Sequence, residues 1–207
     1  MKKSSIYWYS KFSSLGIVLF VVLYLTATLL YPGGSNFDEN ANAFNWQHNY
    51  WCDLLGPVAK NGLPNSAQVI ALLAVLILAT AVCLSWIGIF VQLPFSKSQS
   101  QYFQLSGMLS MMIAIFIFTP LHDVVIVVAG TLAFVTLIAL FVGLYKNRNT
   151  KLLYYGVGCL LLMGLNNLIY FTGTGLSALA ILQKITFVLV LIWILLLNKE
   201  FSKLTKT

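Results

Sequence analysis

The stretch YPGGSNFDENANAFNWQHNYWCDLLGPVAKNGLPN, Tyr31 to Asn65, is the one long polar segment of this chain, and it decides how the rest is read. It holds Asp38, Glu39 and Asp53, three of the five acidic residues, and His48, one of the two histidines. The sequence turns apolar on both sides of it. Ser13–Leu30 before and Ser66–Gln92 after are each long enough to cross a hydrocarbon core of about 30 Å as a helix. The polar stretch is thus a loop hung between two membrane spans.

Composition agrees. Hydrophobic residues make up 59% of 207 positions and charged residues 8%, against roughly 25% charged in soluble domains, so lipid is the solvent for most of the surface. A net charge of +7 is high for so few charged residues. Those cations sit at the termini and in short connections, which is a topology signal and speaks against a nucleic-acid-binding face. No soluble module or low-complexity linker interrupts the chain, so residues 1–207 read as a single membrane domain. Of the three cysteines, Cys52 falls in the polar loop and Cys83 and Cys159 in apolar runs, a distribution that does not suggest a disulfide framework.

Working outward, the basic and aromatic lead-in Met1–Phe12 precedes the first span, expected at 13–30. Its start also describes a secretory leader, but it lacks a small-x-small cleavage site and is read as uncleaved. The second span, 66–92, opens at Pro64-Asn65-Ser66 and closes near Pro94. The third, 103–119, carries Ser106, Ser110 and Ala114 at i, i+4, i+8, a stripe that lets another helix approach closely. Pro120 then forces a turn. The fourth and fifth, 123–144 and 152–171, flank the surface connection KNRNTK, and the fifth contains Gly156, Gly158 and Gly164. The sixth is 177–197. The expected fold is therefore an all-α, six-helix membrane bundle. Ten basic residues (Lys2, Lys3, Lys11, Lys97, Lys146, Arg148, Lys151, Lys199, Lys203, Lys206) fall at the termini and after spans two and four, against Lys60 alone in the opposite loops. That asymmetry predicts cytoplasmic termini and an outward-facing long loop in the cell membrane.

Within the loop, Phe44, His48, Trp51 and Leu55 recur at helical spacing before Gly56-Pro57, which predicts a short amphipathic helix over 42–55. Its aromatic load suits the headgroup region, either as a lid over the bundle or as a cap over a ligand pocket.

These loop residues carry a resemblance. Tyr31-Pro32-Gly33-Gly34, Asn49-Tyr50-Trp51-Cys52-Asp53-Leu54-Leu55-Gly56 and Asn61-Gly62-Leu63-Pro64-Asn65, with the His122 turn, resemble the prokaryotic six-helix family called domain of unknown function 998. That family is similar in layout to the Frag1/DRAM/Sfk1 membrane proteins and, more remotely, to the ceramidase-like membrane hydrolases. The resemblance implies a fold and a compartment but no particular activity.

Polar groups at membrane depth are expensive, and each is a candidate functional residue. With the predicted orientation, His122 and Asp123 at the start of span four, Asn166, Asn167 and Tyr170 at the end of span five, and Lys184 in span six share the outer half with His48, Trp51 and Asp53 of the loop. The inner half offers no comparable cluster. Plainer readings stand beside these: Asp123 as a carboxylate suited to a helix N-terminus, His122 as a surface imidazole, and Asn166 and Asn167 as interhelical glue. Lys184 is the only charged residue inside a span, and Asp53 or Asp123 is the expected partner, with snorkelling to lipid phosphate the alternative. A metal-dependent lipid hydrolase needs about three ligands. Two histidines without an HExxH spacing offer little support for one, and no metal or cofactor is expected. A transporter should carry polar groups through the midplane, which spans two to four lack. The reading that needs no missing residue is a binding or accessory protein whose partners are membrane lipids, with an outward pocket for an anionic lipid headgroup or small amphiphile.

Overall fold

The computed structural model describes residues 3–203 and all their side chains except those of Lys3, Phe118 and His122. Six α-helices follow one another: α1 (Lys3–Leu30), α2 (Gln68–Phe90), α3 (Lys97–Ala114), α4 (His122–Lys146), α5 (Thr150–Thr172) and α6 (Leu176–Lys203). Two short 3-10 helices, Trp51–Leu55 and Ile115–Phe118, complete the regular structure. All six α-helices are long and apolar enough to cross a membrane. Among the described residues there is no strand, only an isolated bridge between Val58 and Pro64.

The helix limits depart from the hydropathy limits for local reasons. The basic lead-in is already helical, with the Trp8 and Phe12 rings stacked 5.5 Å apart one turn from each other. α3 begins at Lys97 because Ser96 forms a capping box: its hydroxyl accepts from the Gln99 N–H (3.2 Å) while the Gln99 side chain accepts from the Ser96 N–H (3.0 Å). Its last turn tightens to 3-10 geometry ahead of Pro120. α6 runs on to Lys203, whose ammonium meets Glu200 at 3.1 Å.

The chain forms two compact units. The first comprises the chain up to Val18, Leu76–Gly156 and the chain from Ile192 on. Here the small-residue stripe of α3 meets α4: Ser106 donates to the Leu132 carbonyl (3.0 Å) and Ser110 to the Ala129 carbonyl (2.8 Å). Such intramembrane hydrogen bonds are each worth about 0.6 kcal/mol, so close packing contributes at least as much as the bonds do. Gly156 lies directly against the Trp193 ring, whose Nε1 donates to the Leu152 carbonyl at 2.8 Å. The second unit comprises Leu19–Val75 and Val157–Leu191. It contains the polar loop and the C-terminal half of α1, with the parts of α2, α5 and α6 in that range. Side chains left outward on the helices are themselves largely apolar, among them Leu15, Leu29, Val69 and Leu161.

Candidate functional site

The polar loop of the second unit is held by side chains acting on backbone. Tyr31 directly follows α1, and its hydroxyl accepts from the Lys60 N–H (3.0 Å), while Asn61 donates to the Pro32 carbonyl (2.9 Å). Gly33 (φ +124°) and Gly34 (φ +79°) occupy left-handed backbone, and a Cβ at Gly34 would fall on the backbone of Lys60 and Asn61. Asn65 turns its amide onto the carbonyls of Asp53, Leu54 and Gly56 at 3.3, 3.1 and 2.8 Å.

The expected helix over 42–55 is not formed. Only Trp51–Leu55 is helical, and it is 3-10. The asparagines are the cause: Asn45 Oδ1 accepts from the Gln47 and His48 N–H groups (2.9 and 3.2 Å), and Asn49 Oδ1 accepts from the Asn45 N–H (2.8 Å). These side chains offer the backbone an alternative to the helix ladder. Gly56 still ends the segment.

At the centre of this unit lie three buried polar residues, Asn49, Asp53 and Lys184, exposed by 0%, 9% and 9%. The Lys184 ammonium donates to the Asn49 carbonyl at 2.5 Å and to the Ala180 carbonyl one turn back at 2.9 Å. Its Nζ also stands 5.6 Å from the Phe44 ring and 5.8 Å from the Trp51 ring, within cation–π range. Asp53 Oδ2 accepts from Asn49 Nδ2 (3.0 Å) and from the Tyr50 N–H (2.9 Å), and Oδ1 lies 3.9 Å from Lys60. The expected Lys184–Asp53 ion pair is therefore not a direct contact. Asn49 stands between them, its carbonyl taking the ammonium and its amide serving the carboxylate.

An apolar cavity of about 470 Å³ adjoins this network. Phe20, Tyr24, Trp46, Trp51, Phe187 and Leu191 line much of it, and Lys184 is the only charged residue on its wall among the described residues. Tyr24 donates to the Trp51 carbonyl (3.0 Å) and Gln183 accepts from the Trp51 N–H (3.1 Å), which fixes the position of that indole. The Trp51 Nε1 is buried with no acceptor among the described residues. Beside it, burial pushes the Cys52 thiol up to about 11, and the Asp53 charge adds to the rise.

The remaining candidates are scattered. Asn166 donates to the Leu162 carbonyl and to Thr186 Oγ1, both at 2.8 Å, as interhelical glue does. Asn167 and Tyr170 are exposed. His48 packs its ring 5.1 Å from Phe37 and keeps a buried Nδ1 without a partner among the described residues. Asp123 lies in the first turn of α4, in the first unit; His122 begins that helix, and its side chain is outside the described residues. Among the described residues no three His, Cys, Asp or Glu side chains gather as a metal site would require.

Sequence reasoning singles out Gln183 beside Lys184 as a polar group at membrane depth, but misses Asn49, Tyr24 and the aromatic walls. Tyr24 carried a usable signal, a hydroxyl within a span; Phe20 and Phe187 carried none. It also misses a polar cluster in the first unit, where Ser13, Ser85 and Asn198 are joined by hydrogen bonds of 2.6 and 2.8 Å.

Comparison of the chain with protein-family models, with curated proteins and with solved structures finds no match. The resemblance to domain of unknown function 998 accordingly rests on the loop residues alone. What the fold defines is a class: an all-helical chain with six helices of membrane-crossing length and apolarity.

Proposed function

We propose that this is a six-span cell-membrane protein with cytoplasmic termini that binds an anionic amphiphile, its tail in the apolar cavity and its headgroup against Lys184 and Trp51. The orientation is supported by the basic residues at the termini and after the second and fourth spans. The observation that carries the binding reading is the position of Lys184 on the wall of an otherwise apolar cavity. An ammonium has three N–H donors, and here two are taken by neutral carbonyls that orient the charge without cancelling it. The nearest carboxylate, Asp53, is already occupied by Asn49, Tyr50 and Lys60. A buried charge whose direct contacts are dipoles and ring faces, with the Asp53 carboxylate acting on it only at a distance, costs several kcal/mol, and an anionic headgroup would offset that cost. Trp51 Nε1 supplies a second donor, without an acceptor among the described residues. Two donors and a greasy wall suit a carboxylate or phosphate ester on an alkyl chain.

Extraction in mild detergent followed by native mass spectrometry tests this. The wild-type protein is expected to retain an anionic amphiphile that Lys184→Met loses. Retention by the wild type of no anionic amphiphile beyond those that Lys184→Met also retains would sink the proposal.

A further inference from the structure

The first unit contains a second cavity, of about 320 Å³, lined by Tyr7, Ser10, Lys11 and Ser14 of α1 and by Asn198, Lys199 and Ser202 of α6. In contrast to the apolar cavity, its walls are polar and basic. Two of its residues, Ser10 and Asn198, are each only 1% exposed. Asn198 Nδ2 donates to Ser13 Oγ (2.8 Å) and Ser14 Oγ (3.4 Å), while its Oδ1 is buried with no partner among the described residues. Ser10 Oγ is likewise buried and unpartnered. An unmet buried polar group carries a penalty of about 1–3 kcal/mol, so two at one cavity call for a ligand that supplies what they lack.

Charge and depth narrow the ligand. Lys11 and Lys199 are exposed on the rim, and neither has a carboxylate partner among the described residues: Glu200 is taken by Lys203, and Lys11 lies 5.0 Å over the Trp8 ring. The membrane-crossing part of α1, Ser4–Leu30, has 27 residues. That is about 40 Å of helix against a hydrocarbon core of about 30 Å, so roughly a turn or two lies at headgroup level. In α1 the polar excess is N-terminal and in α6 it is C-terminal, which puts this cavity where headgroups are. The two ammonium groups and the Ser10 hydroxyl match phosphate oxygens, whereas Asn198 Oδ1, an acceptor, needs a donor such as a hydroxyl.

From this cavity we infer a second binding site, between α1 and α6, for a phosphodiester carrying free hydroxyls, the chemistry of a phosphoglycerol headgroup. It is independent of the site at Lys184.

The test uses the full chain in phosphatidylcholine nanodiscs doped with phosphatidylglycerol or with phosphatidylmethanol, the same monoanionic diester without hydroxyls, and counts retained lipid by native mass spectrometry. Phosphatidylglycerol should be retained about threefold to tenfold over phosphatidylmethanol, the worth of one hydrogen bond. The variant Lys11→Gln/Lys199→Gln, which alters only exposed side chains, should lower retention at least about tenfold. All retention is counted in the Lys184→Met background, so that the other site contributes nothing. Competition by millimolar glycerol 3-phosphate would assign the site to a soluble phosphoglycerol, and no competition to the lipid. Equal retention of the two diesters, no effect of the double substitution, or no phosphatidylglycerol retained in the Lys184→Met background would overturn the inference.

Discussion

Lys184 and Asn198 are both buried polar residues of α6, one in each unit, and they meet burial in opposite ways. Lys184 is served by backbone: two carbonyls and two ring faces fix its ammonium beside an apolar cavity. Asn198 is served by serine hydroxyls on one side of its amide, and the other side has no partner among the described residues at the edge of a polar cavity. A group held by backbone is fixed in place before any ligand arrives, which lowers the entropy lost on binding. A half-satisfied amide instead selects its ligand by what it still lacks. The first arrangement suits an amphiphile recognised mainly by its charge and tail, and the second a headgroup recognised by its hydroxyls.

The comparison breaks most readily at Asp53, the acceptor that holds the loop around Asn49. Asp53→Ala strands the Tyr50 N–H and one N–H of the Asn49 amide, whose other N–H keeps the Gly34 carbonyl; two unmet buried donors should cost about 2–5 kcal/mol, a fall of roughly 10 °C in Tm for a chain of this size. An unchanged Tm would mean that the second unit does not depend on this network. Cys52 comes next. With its thiol pushed up to about 11, maleimide labelling at neutral pH should run about a hundredfold slower than at a free cysteine and rise tenfold per pH unit towards pH 11. Fast labelling at pH 7 would show the thiol to be open to water. Orientation is therefore better read with Asn40→Cys, expected to label from outside, against Arg148→Cys, expected not to. Gly34→Ala should cost about 2 kcal/mol, since a Cβ there meets the Lys60–Asn61 backbone at φ +79°; Gly62→Ala, also at positive φ but in open space, should cost less. The smallest effect is a coupling. In a double-mutant cycle on Tm, Lys184→Met and Asp53→Asn should couple by about 1 kcal/mol, carried through Asn49, the partner they share. A coupling above about 2 kcal/mol would restore the direct ion pair.

How much of this was legible in the residues differs between backbone and site. Six apolar runs were plain in the hydropathy, yet the starts of α1 and α3 were not. The interfacial aromatics of α1 pair at helical spacing in a stretch too polar to read as a span, and the Ser96–Gln99 box begins seven residues before the apolar run expected from Phe103. Asp53, Lys184 and Trp51 stood out as polar or amphipathic groups in a greasy chain, and the structure gathers them. Asn167 and Tyr170 satisfied the same spacing argument and point outward, because periodicity fixes which residues share a face and not which face is covered. The amphipathic pattern over 42–55 failed where Asn45 and Asn49 compete for backbone N–H groups. The walls of the apolar cavity could not be foreseen, since Phe20 and Phe187 are the same kind of residue that elsewhere faces lipid.

Lys184 is proposed to recognise an anionic headgroup from the wall of the apolar cavity that Trp46 and Trp51 also line. Fluorescence titration with a fatty acid brominated along its chain, beside the fatty alcohol of the same length and bromination, measures it directly. The account predicts saturable tryptophan quenching by the acid, weakened about tenfold to a hundredfold by Lys184→Met, the loss of one or two charge-assisted hydrogen bonds, with the alcohol binding weakly to both proteins. Equal affinity for acid and alcohol, or an affinity for the acid that survives Lys184→Met, would contradict it.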